Sequence, residues 1–162
     1  MSSENQNLST LANSAALSSA AGMRIAIVVS DWNREITEAL MKGAKATLLG
    51  AGCLESDIEV IWVPGAFELP FGARVALERG CYDGVVALGC VIRGGTPHFE
   101  YVCSGATQGI MDVQLKCGKP IGFGLLTLDT MEQAVERSGG RLGNKGDEAA
   151  ATLIEMVALN RG

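Results

Sequence analysis

Four short, largely apolar runs, at residues 24–30, 57–63, 84–92 and 121–128, limit what this chain can become. Continuous apolar runs of this length suit strands covered on both faces. Each is followed by a segment that reads as helix. Ile36, Leu40, Ala44 and Leu48 recur at helical spacing until Gly50 and Gly52 stop the pattern. A second helix starts near Pro70 and ends at Gly80, and a third runs from about Pro97 to Lys116. Thr130 and Gln133 form a capping box for a short helix reaching Arg137. A glycine-rich link over 139–146 leads to a last helix at 147–160, with Ala150, Leu153, Ile154 and Val157 on its inner face.

Strand and helix alternating four times predict an α/β three-layer sandwich, a four-stranded parallel sheet with helices on both faces. Right-handed crossovers leave few topologies, and a flavodoxin-like strand order 2-1-3-4 is expected. Residues 1–22 are rich in serine, alanine and asparagine without a period. They read as a tail, a linker or a strand that waits for a neighbouring subunit. Residues 23–162 form the one expected domain.

The net charge is −5, so a nucleic-acid backbone has no basic stripe to meet. No run reaches the roughly 18 apolar residues that span a bilayer. No lysine or arginine precedes Arg24, which argues against a secretory signal and for a cytoplasmic protein. The five cysteines, at 53, 81, 90, 103 and 117, contain no Cys-x-x-Cys pair and read as small apolar core residues. With one histidine in the chain, no metal site is expected.

The chemistry concentrates at 89–103, where the third strand empties into Gly94-Gly95-Thr96-Pro97 and a helix opens. Glycines before a helix N-terminus let backbone N–H groups and the helix dipole receive an anion, although an ordinary glycine-rich turn has the same pattern. His98 follows three residues after Gly95 and is the candidate proton carrier. Trp32, after the first strand, offers a flat platform for an aromatic ligand or packs beneath its own loop. Glu68, in the turn Pro64-Gly65-Ala66-Phe67-Glu68, grips polar ligand groups or simply complements the next helix. Arg137 can clamp a phosphate with its two-donor fork or face water at a helix end, and Lys145 carries the same ambiguity. The turn at Gly94 is too short for a Walker loop, and no GxGxxG opens the first helix, so no nucleotide cofactor is expected.

Four motifs in register resemble one family. They are Pro64-Gly65-Ala66-Phe67-Glu68-Leu69-Pro70, the stretch from Gly89 through Val102, Glu132-Gln133-Ala134 with Glu136-Arg137, and Gly143-Asn144-Lys145-Gly146. Together, from about Met23 onward, they look like the 6,7-dimethyl-8-ribityllumazine synthases of riboflavin biosynthesis. The resemblance implies a transferase that needs no cofactor. It condenses 5-amino-6-(D-ribitylamino)uracil with 3,4-dihydroxy-2-butanone 4-phosphate, releasing phosphate and water. It also implies that Trp32 stacks on the pyrimidine, that Ala66, Phe67 and Glu68 hold the ribityl chain, and that Cys90, Val91 and Ile92 line the ring edge. Phe123 closes the pocket from the adjacent subunit. Gly95 and Thr96 bind the phosphate through backbone N–H groups, joined by the neighbour's Arg137, and His98 moves protons. Lys145 is a further candidate beside them. Many members carry phenylalanine where this chain has Trp32. The resemblance further implies a homopentamer, twelve of which close into an icosahedral shell, and riboflavin synthase as a partner. The competing class is a shell protein that binds flavin-like ligands without turning them over.

Overall fold

The computed structural model describes residues 16–162. The elements, in chain order, are β1 (Ile25–Ser30), α1 (Arg34–Gly50), β2 (Ile58–Val63), α2 (Leu69–Arg79), β3 (Gly84–Ile92), α3 (His98–Cys117), β4 (Ile121–Leu128), α4 (Met131–Arg137), β5 (Ser138–Gly140), β6 (Gly143–Asn144) and α5 (Lys145–Arg161). The main sheet has the order β2-β1-β3-β4, and all three pairings are parallel. The flavodoxin-like arrangement is therefore the one the alternating pattern predicts.

Every residue of β1 is buried, because it lies inside the sheet and is covered from both sides. Its alternate side chains feed two cores. Ile25, Ile27 and Val29 pack with Leu40 and Leu48 of α1 and Leu153 and Ile154 of α5. Ala26 and Val28 pack with Leu69, Ala73 and Leu77 of α2 and Ala106 and Ile110 of α3. The sheet thus needs apolar residues at consecutive positions, which is why the strand runs show no alternation.

Helices α1 and α5, besides sharing a side-chain core, approach closely where Gly43 and Gly146 face the other helix. A Cβ at Gly146 would stand 2.0 Å from the Leu40 carbonyl oxygen, and one at Gly43 would stand 2.2 Å from Asp147 Oδ1. Asn144 caps α5 by accepting from the Gly146 N–H at 2.8 Å and donates to the Ala39 carbonyl at 3.0 Å. Helix α5 consequently starts at Lys145, two residues before the start that the periodicity predicts. The Thr130 capping box of α4 is present in both of its hydrogen bonds.

Two further features depart from expectation. The glycine-rich link holds the small antiparallel pair β5–β6. Only Cys53 and Cys90 are buried; Cys103 and Cys117 are half-buried and Cys81 is exposed, so the reading of all five as core residues is corrected. Cys103 and Cys117 lie on α3, where only Ala106 and Ile110 are buried, and Cys81 sits in the short α2–β3 turn.

Of the expected tail, residues 1–15 lie outside the described residues. The next few are already attached to the domain. Ala20 is buried and its N–H donates to the Ala51 carbonyl at 2.8 Å, while Ser18 bonds both carboxylate oxygens of Glu155. No helix among the described residues is long and apolar enough to cross a membrane.

Candidate functional site

The parallel strands deliver β1, β2 and β3 to one edge of the sheet with their carboxyl ends together, and the loops beyond them enclose a cavity of about 730 Å³. It is lined by Trp32 after β1, Gly65–Glu68 after β2, the Cys90–Ile92 end of β3, and Gly94, Thr96 and His98 before and at the start of α3. This is the crevice where strand order reverses in a doubly wound sheet. The sequence predictions for Trp32, Ala66, Phe67, Glu68, Cys90, Val91, Ile92, Thr96 and His98 converge on it.

Hydrogen bonds between loops hold the walls. Asp31 N–H donates to the Val63 carbonyl at 2.7 Å and Trp32 N–H to the Pro64 carbonyl at 3.1 Å, which joins the β1 and β2 loops. Asn33 donates from Nδ2 to the Cys90 carbonyl at 3.0 Å, tying this pair to β3. Asn33 has φ 59°, the one positive-φ non-glycine among the described residues. Asparagine tolerates that left-handed conformation better than most side chains. Sequence reasoning passed over it; an asparagine between a strand end and a helix start was the available signal.

Trp32 is 73% exposed, so it does not pack beneath its own loop. Its ring stands over the cavity as an open platform. The other tryptophan, Trp62 on β2, is half-buried with the Arg34 guanidinium 4.3 Å above its ring. Phe67 is also exposed at 60% and leans on α3, where a Cβ at Gly105 would come within 2.7 Å of its ring. Only glycine at 105 lets the Phe67 wall approach this closely. Burial pushes the Cys90 thiol up to about 11, which keeps it protonated near neutral pH.

Neither Gly94 nor Gly95 has a left-handed φ, and a Cβ at either would meet nothing within 4 Å. Their contribution is therefore open access to the backbone rather than a special conformation. Gly95 lies in an adjoining crevice of about 320 Å³, shared with Arg93, Gly94, Thr96, Pro97 and Glu100.

Besides Gly95, three expected site residues are not brought to this cavity within one chain. Phe123, on the edge strand β4, is 40% exposed. Arg137 closes α4 and is half-buried, outside the cavity lining. Lys145 pairs with buried Glu148 at 2.7 Å. In turn, Phe99, Tyr101 and Val102 line the cavity without having been singled out.

Fold and cavity together define a class: doubly wound α/β proteins that take a small ligand at the carboxyl ends of a parallel sheet. A family model described as 6,7-dimethyl-8-ribityllumazine synthase matches residues 22–161. A protein of that name from Parabacteroides distasonis is 56% identical over 138 residues, covering 85% of this chain and 86% of its own. Namesakes from Nautilia profundicola and Phocaeicola vulgatus are 54% and 51% identical, covering 84% and 85% of this chain and 88% and 82% of their own. The chain belongs to the 6,7-dimethyl-8-ribityllumazine synthase family.

Proposed function

We propose that this chain is a transferase that makes 6,7-dimethyl-8-ribityllumazine from 5-amino-6-(D-ribitylamino)uracil and 3,4-dihydroxy-2-butanone 4-phosphate, the penultimate step of riboflavin biosynthesis. The observation that carries the reading is a single cavity holding a tryptophan platform, a polar turn and a histidine beside an open glycine turn. Trp32 stacks the pyrimidine, the Ala66–Glu68 turn holds the ribityl chain, and Cys90, Val91 and Ile92 contact the ring edge. Gly95 and Thr96 present backbone N–H groups to the phosphate at the start of α3, where the dipole favours an anion.

The amine attacks the ketone and water leaves to give an imine; phosphate is then eliminated, and ring closure releases the second water. His98 carries protons in these steps. Holding two reactive partners together supplies much of the rest. Mixing the protein with both substrates and following lumazine fluorescence tests this directly. Absence of turnover would leave a protein that only binds flavin-like ligands.

Trp32 gives the first quantitative expectation. Trp32→Ala should weaken binding of riboflavin or the lumazine product by about 1 kcal/mol or more, the scale of aromatic stacking. Quenching of tryptophan emission during titration measures it, with Trp62 as the internal control. Unchanged affinity would remove Trp32 from the binding site.

The site is completed between subunits. Phe123 and Arg137, both outside the cavity of their own chain, close the neighbour's pocket and clamp its phosphate, with Lys145 a further candidate. Exposed Tyr101, Met111 and Leu115 along α3 support an apolar subunit contact, since α3 buries only Ala106 and Ile110. The assembly is a cytoplasmic homopentamer, with twelve rings closing into a shell, and its product passes to riboflavin synthase. Residues 1–22 are the N-terminal tail and 23–162 the catalytic domain. Light scattering should show a shell-sized particle for the full chain. A variant lacking residues 1–15, which spares the docked Ser18 and Ala20, tests whether the tail contributes to assembly. A particle no larger than one ring would exclude the shell, and a monomer would exclude the shared site.

A further inference from the structure

An acid stands in the wall of the anion turn. Glu100 shares the crevice of Gly94, Gly95 and Thr96, and a second carboxylate, Asp129, lies within reach of the same guanidinium. The Glu100 charge in that crevice would oppose a phosphate, and Asp129 adds a second negative charge on the same guanidinium. Arg93 answers both. Its Nε donates to Asp129 Oδ1 at 2.7 Å and its Nη1 to Glu100 Oε1, and its guanidinium stacks 4.2 Å from the centre of the Phe99 ring. Its own N–H donates to the Leu128 carbonyl at 2.8 Å, so the backbone beneath the fork is anchored to the end of β4. Hydrogen bonding to Arg93 holds the Glu100 carboxyl below its usual range, which keeps it ionised and the pair intact. Asp129 N–H donates to Gln133 Oε1 at 2.9 Å, so the same cluster extends into α4, the helix that ends at Arg137.

We infer that Arg93 is a positioning residue for the phosphate-bearing substrate: it masks Glu100 and Asp129 and pins the glycine turn between β3 and α3, so that the turn can accept an anion. The inference rests on reading Gly95 and Thr96 as the phosphate site. Arg93 itself makes no contact with substrate, because its fork is already shared between two carboxylates.

Titration of the full-length protein with inorganic phosphate tests the mask without requiring turnover. Arg93→Gln should weaken phosphate binding about tenfold, the scale of unmasked charge within several ångströms of a bound anion at a protein surface. Replacing Glu100 and Asp129 by glutamine and asparagine in that background should restore most of the affinity, which a merely structural arginine would not allow. In steady-state kinetics the same Arg93→Gln change should raise KM for the butanone phosphate while KM for the ribitylaminouracil stays near wild type. Should Arg93→Gln fold poorly, Glu100→Gln alone carries the converse: phosphate should bind severalfold more tightly. Unchanged phosphate affinity in both single variants, or no recovery in the triple variant, would overturn the inference. Phosphate binding that follows this pattern in a protein without turnover would sustain the inference and sink the functional reading instead.

Discussion

Replacing His98 with alanine is expected to slow lumazine formation by about 10²–10⁴-fold, the usual contribution of a positioned general acid–base. The side chain is exposed at the first position of α3 and faces the cavity, so its removal leaves both cores intact. Activity should persist at the reduced rate, because holding the partners together and anchoring the phosphate do not depend on the imidazole. Single-turnover kinetics with both substrates at saturation separates the chemical step from binding. A folded, correctly assembled variant with no measurable turnover would assign His98 a larger role than proton transfer. A rate equal to wild type would move the proton carrier elsewhere.

The second large effect concerns stability and lies far from the chemistry. Gly146→Ala should cost about 3 kcal/mol, at the upper end of overpacking penalties. The new methyl group would fall 2.0 Å from the Leu40 carbonyl oxygen and 2.7 Å from its carbon, and both are backbone atoms that no rotamer change can clear. Helix α1 would have to withdraw from α5 and loosen Leu40 from Leu153 and Ile154. Gly50→Ala, at the end of α1 where a Cβ meets nothing within 4 Å, is the matched control and should be neutral or slightly stabilising. Denaturant midpoints of the two variants give the comparison, and equal midpoints would contradict the close helix contact.

What could be read from the residues follows from how each feature is encoded. Buried parallel strands need consecutive apolar side chains, so β1, β3 and β4 are visible as runs, and the helices between them carry punctuation in Gly50, Pro70, Gly80 and Thr130. Handedness then leaves few orders for the sheet, the observed β2-β1-β3-β4 among them. The pair β5–β6 involves three and two residues, three of them glycine, and has no side-chain pattern to betray it. The start of α5 is set by a side-chain cap from Asn144 that reaches α1, a tertiary contact invisible to local periodicity. At the site, Trp32, Glu68, Thr96 and His98 were legible because each stands just past a strand end. Asn33 and Arg93 were not. Their roles depend on partners 57 and 36 positions away, which only the folded chain brings near.

The margin of the sheet has a practical consequence. Among the described residues β2 pairs with β1 alone, and its other side offers the unpaired backbone of Ile-Glu-Val-Ile-Trp-Val, with one charge in six residues. A segment of that composition is a template for a foreign strand once whatever shields it is removed. Warming this protein should therefore end in precipitation rather than a reversible transition. Its apparent melting temperature should fall as the scan is slowed, and lifetime at a given temperature becomes the measure of durability.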